Sequence, residues 1–162
     1  MEMRRLERAL TALDDIVDVL DKCVIARLGL VDIEGPYVVP VNFAYKVADG
    51  KITVYAHGAP VGRKLAAIAA DSRCCVEADH VIGLAQSGPG ACGHTTYYES
   101  VIGFGRARLV DDPVEAKEAL SLLVARQAPD QIDTLPDAVP SAVAVIAIDL
   151  ESVAGKANRP II

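Results

Sequence analysis

Five large apolar residues stand at every second position, Tyr37, Val39, Val41, Phe43 and Tyr45, ahead of an Asp49-Gly50 pair and a further β-rich run over 51–57. Strict alternation puts the five side chains on one face of a strand. Asp-Gly between two such runs is a strong local signal for a tight hairpin. The chain is therefore organised around antiparallel β-structure with one face turned to a core.

The flanking sequence extends this pattern. Residues 23–31 read as a strand and Asp32-Ile33-Glu34-Gly35-Pro36 as a turn, so 23–57 forms a three-stranded meander. Thr11 is placed to cap a helix carrying Leu13, Ile16, Val17 and Leu20 at helical spacing. Pro60 opens a second helix to about Ala70, with Val61, Leu65 and Ile68 on its apolar side. A strand follows over 73–79, then a glycine-rich loop over 81–93. A long strand over 95–110 carries Gly103 and Gly105 as marks of a bend or close approach. Asp112-Pro113 begins a helix over about 114–127. An irregular stretch to Pro140 precedes a final strand, 141–150, apolar enough to be buried on both faces, and then a tail over 152–162. About six antiparallel strands with short helices at the connections predict a mainly β (α+β) fold, a closed or nearly closed barrel; an α+β sandwich gives a similar pattern. The 162 residues fit a single domain over 1–162.

Composition narrows the function classes. Apolar residues make up 52% of the chain and mean hydropathy is +0.30, yet no run of 18 apolar residues suggests a membrane span. The surplus reads as buried surface, part of it between subunits. Net charge is −6 and the cations are scattered, so nucleic acid is not an expected partner. Met1-Glu2-Met3-Arg4-Arg5 leads into an amphipathic stretch rather than a secretory core, which suggests a cytoplasmic protein. Cys23, Cys74, Cys75 and Cys92 form no C-x-x-C and read as reduced, mostly buried thiols. Cys92, His94 and His80 do not have a common zinc spacing, so no metal site is expected.

Chemistry concentrates in Tyr55-Ala56-His57-Gly58-Ala59-Pro60-Val61-Gly62-Arg63-Lys64-Leu65. A strand ends, two glycines follow, and a helix begins with two adjacent cations. Free N–H groups at a helix start attract anions, glycine permits close approach, and the cations add donors. The segment reads as a monophosphate cradle or as a solvated basic pair on a surface helix. Pro40 within Val39-Pro40-Val41-Asn42 cannot donate to a ladder, so it marks either an ordinary edge or an interruption that frees backbone groups for a ligand. Asn42 both donates and accepts, which suits a ring carrying imide groups. His57, beside the cradle, is the candidate catalytic residue. Tyr97 and Tyr98 can stack on a planar ligand or simply pack.

Taken together, Val39-Pro40-Val41-Asn42, Tyr55-Ala56-His57-Gly58, Gly62-Arg63-Lys64 and the run from Tyr98 to Gly105 resemble the pyridoxamine 5′-phosphate oxidase-like flavoproteins, and most nearly their nitroimidazole-reductase (NimA-type) branch. The resemblance implies an FMN-binding split barrel. It also implies a homodimer with flavin at the subunit interface and a small-molecule substrate. By the same resemblance Val39, Pro40, Val41 and Asn42 meet the flavin ring, as do Tyr55 and Ala56 on the next strand. Gly62, Arg63 and Lys64 hold the FMN phosphate, His57 lies near the reactive edge, and Ser100 stands where pyridoxamine phosphate oxidases carry a glutamine. Asn42 replaces those oxidases' lysine, and the tail Gly155-Lys156-Ala157-Asn158-Arg159 lacks their Trp and Arg/His substrate motif. The implied activity is therefore FMN-dependent reduction of small electron-poor molecules rather than oxidation of pyridoxamine phosphate. A deazaflavin or haem on the same scaffold, or a flavin-binding module without turnover, are the alternatives.

Overall fold

The hairpin forms where the alternation and the Asp49-Gly50 pair place it. Strands β3 (Gly35–Ala48) and β4 (Lys51–Gly58) pair from Ala48↔Lys51 back to Phe43↔Ala56. Both turn residues have positive φ, 51° at Asp49 and 73° at Gly50, the signature of a type I′ turn whose twist matches that of the strands. The computed structural model describes residues 4–86 and 88–160; Met1-Glu2-Met3 of the start, Ser87 of the glycine-rich segment and the last two residues of the tail lie outside the described residues.

The remaining strands are β1 (Ala9–Leu10), β2 (Ile25–Asp32), β5 (Arg73–Gln86), β6 (His94–Leu109) and β7 (Ala144–Asn158). Their order is β1-β7-β4-β3-β2-β5-β6, and β6 also pairs with β7. That last pairing closes six antiparallel strands into a ring, with β1 added to β7. The mainly β barrel inferred from sequence is therefore the observed fold, and the sandwich alternative falls.

Several boundaries differ from the sequence reading. The strand expected to stop at Asp79 runs to Gln86, through a bulge between Val81 and Gly83, because 94–98 supplies a partner strand all along it. The segment read as a tail continues β7 to Asn158, past a register shift opposite Phe104 and Gly105. Helix α1 (Leu13–Lys22) starts one residue after Ala12, with no side-chain cap from Thr11.

Alternation along β7 divides the interior in two. Ile146 and Ile148 point into the barrel with Phe43, Leu28 and Val54, while Val145 and Ala147 point outward onto α3 (Pro113–Gln127) beside Ala44 and Tyr55. The expected burial on both faces is thus observed over Val145, Ile146, Ala147 and Ile148, while residues 141–143 lie outside the strand and Asp149 is exposed. Helix α1 packs on β5, β6 and β7 and closes one end of the barrel. Helix α2 (Arg63–Ala70) packs on β2 and β6 at the other end, through Leu65, Ala67 and Ile68. Gly103 and Gly105 mark the expected close approach. A Cβ at Gly105 would collide with the Asp149 main-chain oxygen, and one at Gly103 would stand 2.7 Å from Leu150 Cδ1. No helix among the described residues is long and apolar enough to cross a membrane.

Candidate functional site

Strand β3 outruns its hairpin partner. Residues 43–48 pair with β4, but 35–42 pair only with β2, so among the described residues the β4-facing edge of Val39, Pro40, Val41 and Asn42 has no partner strand. Pro40 suits such an edge because its missing N–H costs no ladder bond there. On the far side of this gap β4 ends with His57 and Gly58, opposite Val145 and Ala144 of β7. The chain then turns through Ala59–Val61 into α2. Asn42 and His57 are the next residues beyond the last pair, Phe43–Ala56, and both are exposed.

Helix α2 begins at Arg63 rather than Pro60. Gly62 takes φ 138°, outside the helical range, and serves as N-cap without a side chain. The first-turn N–H groups of a helix have no intrahelical acceptor, and here no capping side chain covers them. Lys64 folds back over the end of β4. A Cβ on Gly58 would stand only 3.0 Å from its Nζ, so the glycine leaves the room that the ammonium occupies. Lys64 is part-buried, and burial lowers its pKa. Among the described residues it has no carboxylate partner, whereas most other cations of the barrel have one. A desolvated, unpaired cation beside free helix N–H groups is a seat for an anion.

Arg63 takes a different direction. Its Nε donates to Asp32 Oδ2 at 2.5 Å, its Nη2 reaches Glu34 Oε2 at 3.0 Å, and its guanidinium lies 4.4 Å from the centre of the Tyr37 ring. The hydrogen bond from Arg63 is the main reason the Asp32 carboxyl is held below its usual range. Sequence reasoning missed Asp32, Glu34 and Tyr37 as partners of the cradle. The first two were legible only as a turn and the third only as part of an apolar stripe.

The other expected site residues lie as follows. Tyr55 is buried beneath α3, where its hydroxyl donates to Glu115 Oε1 at 3.1 Å; burial first, then Glu115, push its pKa up to about 12. Ala56 faces the barrel core and Val41 is buried against the same cluster. Ser100 pairs with Asp79 and Lys156, three strands round the barrel from β3, so one chain does not bring it to the α2 mouth. Cys23 and Cys74 are buried free thiols, Cys75 is part-buried and Cys92 is exposed. No metal-ligating cluster occurs among the described residues. A hollow of about 410 Å³ opens beside the β4 end, lined by Pro60, Val110, Val139, Val143 and Val145.

The donor set fits a phosphorylated, imide-bearing planar group. Lys64 and the α2 amides match the phosphate, and the open β3 edge offers alternating donors and acceptors to a ring.

Comparison with known proteins gives the same architecture. The family model described as pyridoxamine 5′-phosphate oxidase matches residues 13–157. A protein of Bacteroides thetaiotaomicron assigned to 5-nitroimidazole antibiotic resistance is 23% identical, with a TM-score of 0.72 over 91% of this chain and 85% of that one. The flavocytochrome Anf3 of Azotobacter vinelandii is 24% identical, with a TM-score of 0.79 over 98% and 73%. A FAD-binding protein of Mesorhizobium loti is 26% identical, with a TM-score of 0.66 over 93% and 97%. No curated protein sequence matches the chain.

Proposed function

We propose, from the premise that this chain belongs to the pyridoxamine 5′-phosphate oxidase family, that it is a flavin-dependent oxidoreductase holding FMN between the α2 mouth and the open edge of β3. The observation that carries this reading is Lys64: a part-buried ammonium with no carboxylate partner among the described residues, over Gly58 and beside uncapped helix N–H groups. The similarity to a FAD-binding protein over nearly the whole of both chains supports a flavin.

Bound flavin would supply the electron transfer, and the protein would supply binding and orientation. Lys64 neutralises the phosphate. Asn42 presents its amide to the ring edge, Val39 and Val41 anchor the strand against the barrel core, and Pro40 keeps that edge from being taken by another strand. His57, exposed at the end of β4, orients or protonates the substrate. Tyr55 stiffens β4 from beneath α3.

The tail argues against oxidation of pyridoxamine phosphate. Its Asn158 donates to the Thr96 carbonyl at 2.6 Å and its Arg159 to Glu99 Oε1 at 2.6 Å, so both side chains serve the barrel rather than a substrate. We assign as substrate a small, flat, electron-poor molecule of the nitroimidazole kind, in line with the fold shared with the Bacteroides protein. The exposed outer face of β3, with Val38 and Pro40, suits a homodimer in which Ser100 meets the flavin of the partner subunit.

The test is the visible spectrum of the purified protein before and after FMN, then NADH or NADPH with a nitroaromatic. Flavin absorbance that bleaches and returns on turnover is the expected result. A colourless protein that takes up no FMN overturns the reading, and a Soret band or a missing long-wavelength flavin band would assign the scaffold to haem or a deazaflavin.

A further inference from the structure

The hollow beside the end of β4 is walled by well-separated stretches of the chain. Pro60 stands at the turn into α2, Val110 just after β6, Ala116 in α3, Val139 in the loop that follows α3, and Val143 and Val145 at the start of β7. Ala116 and Val145 are buried, and Val110, Val139 and Val143 are half-buried around the same core. An apolar cavity of about 150 Å³ holds benzene, so the 410 Å³ here has room for a molecule of one or two rings. The β4–β7 register places His57 at this wall. Tyr55 and Ala147 stand opposite each other and face α3; two residues on, His57 and Val145 stand opposite each other on the same face. Side chains so placed have Cβ atoms about 4.5–5.5 Å apart. On its other side His57 has no β3 partner among the described residues, because the β3–β4 pairing stops at Phe43 and Ala56. Only β4 therefore separates the hollow from the open edge of β3, and neighbouring strands lie about 4.8 Å apart. Gly58, the next residue, faces the other way, toward Lys64 Nζ. The hollow and the Lys64 seat thus lie on opposite faces of the end of β4. The mouth of the hollow carries charge of one sign. Asp111 and Asp137 line it, with no lysine or arginine among the lining residues. Asp137 is met by Lys117 Nζ at 3.0 Å in a pair open to water, and Asp111 is exposed with no cation partner among the described residues.

Resting on the flavin reading above, we propose that this hollow is the substrate site, and that it takes neutral or cationic aromatic molecules of one or two rings and turns anionic ones away. The apolar wall supplies the area a flat ring buries. His57 reaches the ring from the β4 wall, between the hollow and the open β3 edge. Asp111 and Asp137 attract a positive substituent at the mouth and repel a carboxylate there, by a modest amount because both are open to water. Val143 and the two aspartates are then specificity-determining residues: the first sets the size of the ring, the others its charge.

The experiment titrates three probes by calorimetry into the full chain, flavin-free and after addition of FMN. The probes are 4-nitrobenzylamine, 4-nitrobenzyl alcohol and 4-nitrobenzoate, which share a ring and a nitro group and differ in charge. The amine and the alcohol are expected to bind, and the benzoate about tenfold more weakly than the amine. Val143→Phe, which fills the hollow, is expected to weaken amine and alcohol about tenfold or more with FMN affinity unchanged. Asp111→Asn combined with Asp137→Asn changes only exposed side chains; it is expected to shrink the gap between amine and benzoate to about twofold and to leave the alcohol unchanged. Thermal melts accompany each variant, and should Val143→Phe fail to fold, the paired asparagine variant decides. Probe binding unchanged in a folded Val143→Phe, a benzoate that binds as tightly as the amine, or a gap that survives both asparagines overturns the assignment. So does a chain that takes up FMN but none of the probes, and the flavin reading then stands. If the chain takes up no FMN yet binds the probes in the expected order, the hollow is a ligand site and the flavin reading is what has failed.

Discussion

Glu99 is the test of how this barrel is fastened at the end opposite α2. It points inward from β6 and is 3% exposed, with Lys22 Nζ at 2.7 Å from Oε2 and Arg159 Nε at 2.6 Å from Oε1. Lys22 belongs to the last turn of α1 and Arg159 follows β7, so one carboxylate ties helix, barrel and tail together. Replacement by Gln removes two charge-assisted bonds, each worth roughly 1.5–3 kcal/mol in gross terms. The two cations are 43% and 47% exposed and can turn to water, which recovers part of the loss. A net cost of about 3 kcal/mol follows, equivalent to roughly 6–12 °C in Tm for a domain of this size. The pH dependence carries the sign. Burial alone would raise the Glu99 pKa, but the bonds from Lys22 and Arg159 outweigh it and hold the pKa below the ordinary 4.5. A carboxyl depressed in the fold stabilises fully above its unfolded pKa and loses that contribution as pH falls through the folded value. Calorimetric melts should therefore show the largest gap between wild type and Glu99→Gln at neutral pH, closing below about pH 4.5. A variant as stable as wild type at pH 7, or a gap that widens in acid, would refute the argument.

Other expectations follow from the same geometry. Lys64→Met removes a desolvated, unpaired charge, so flavin-free protein should melt roughly 1–3 °C higher while FMN affinity falls about tenfold, measured by calorimetry and titration. Gly58→Ala puts a methyl group 3.0 Å from Lys64 Nζ, the movable end of a flexible side chain; FMN should bind several-fold less tightly with Tm changed by less than about 2 °C. Gly105→Ala places its Cβ against the Asp149 main chain, which cannot swing aside, and should cost about 2–3 kcal/mol in urea unfolding, whereas Gly83→Ala has open space and should be tolerated.

Much of this was legible because it is local. Apolar alternation and a positive-φ turn pair specify a hairpin within fourteen residues, whatever the remainder of the chain does. The basic pair after Gly62 was visible for the same reason, since a helix start and its charges are neighbours in sequence. Where strong signals misled, a partner strand was responsible. Gly83 read as loop until residues 94–98 arrived to pair with it, and 152–158 read as tail until β6 lay alongside. A strand's existence depends on hydrogen bonds supplied from elsewhere.

By itself, then, the sequence determined the antiparallel β architecture, the hairpin and its turn, the cation pair at a helix mouth and the two-faced burial of the last long strand. Closure of the ring by β6 and β7, the unpaired edge of β3 and the separation of the two cations were decided only in three dimensions. Among the described residues Lys64 became an ammonium without a carboxylate and Arg63 a paired one because residues some thirty positions away, Asp32 and Glu34, were folded against the second and not the first. A titratable group's partners are set by distance in space.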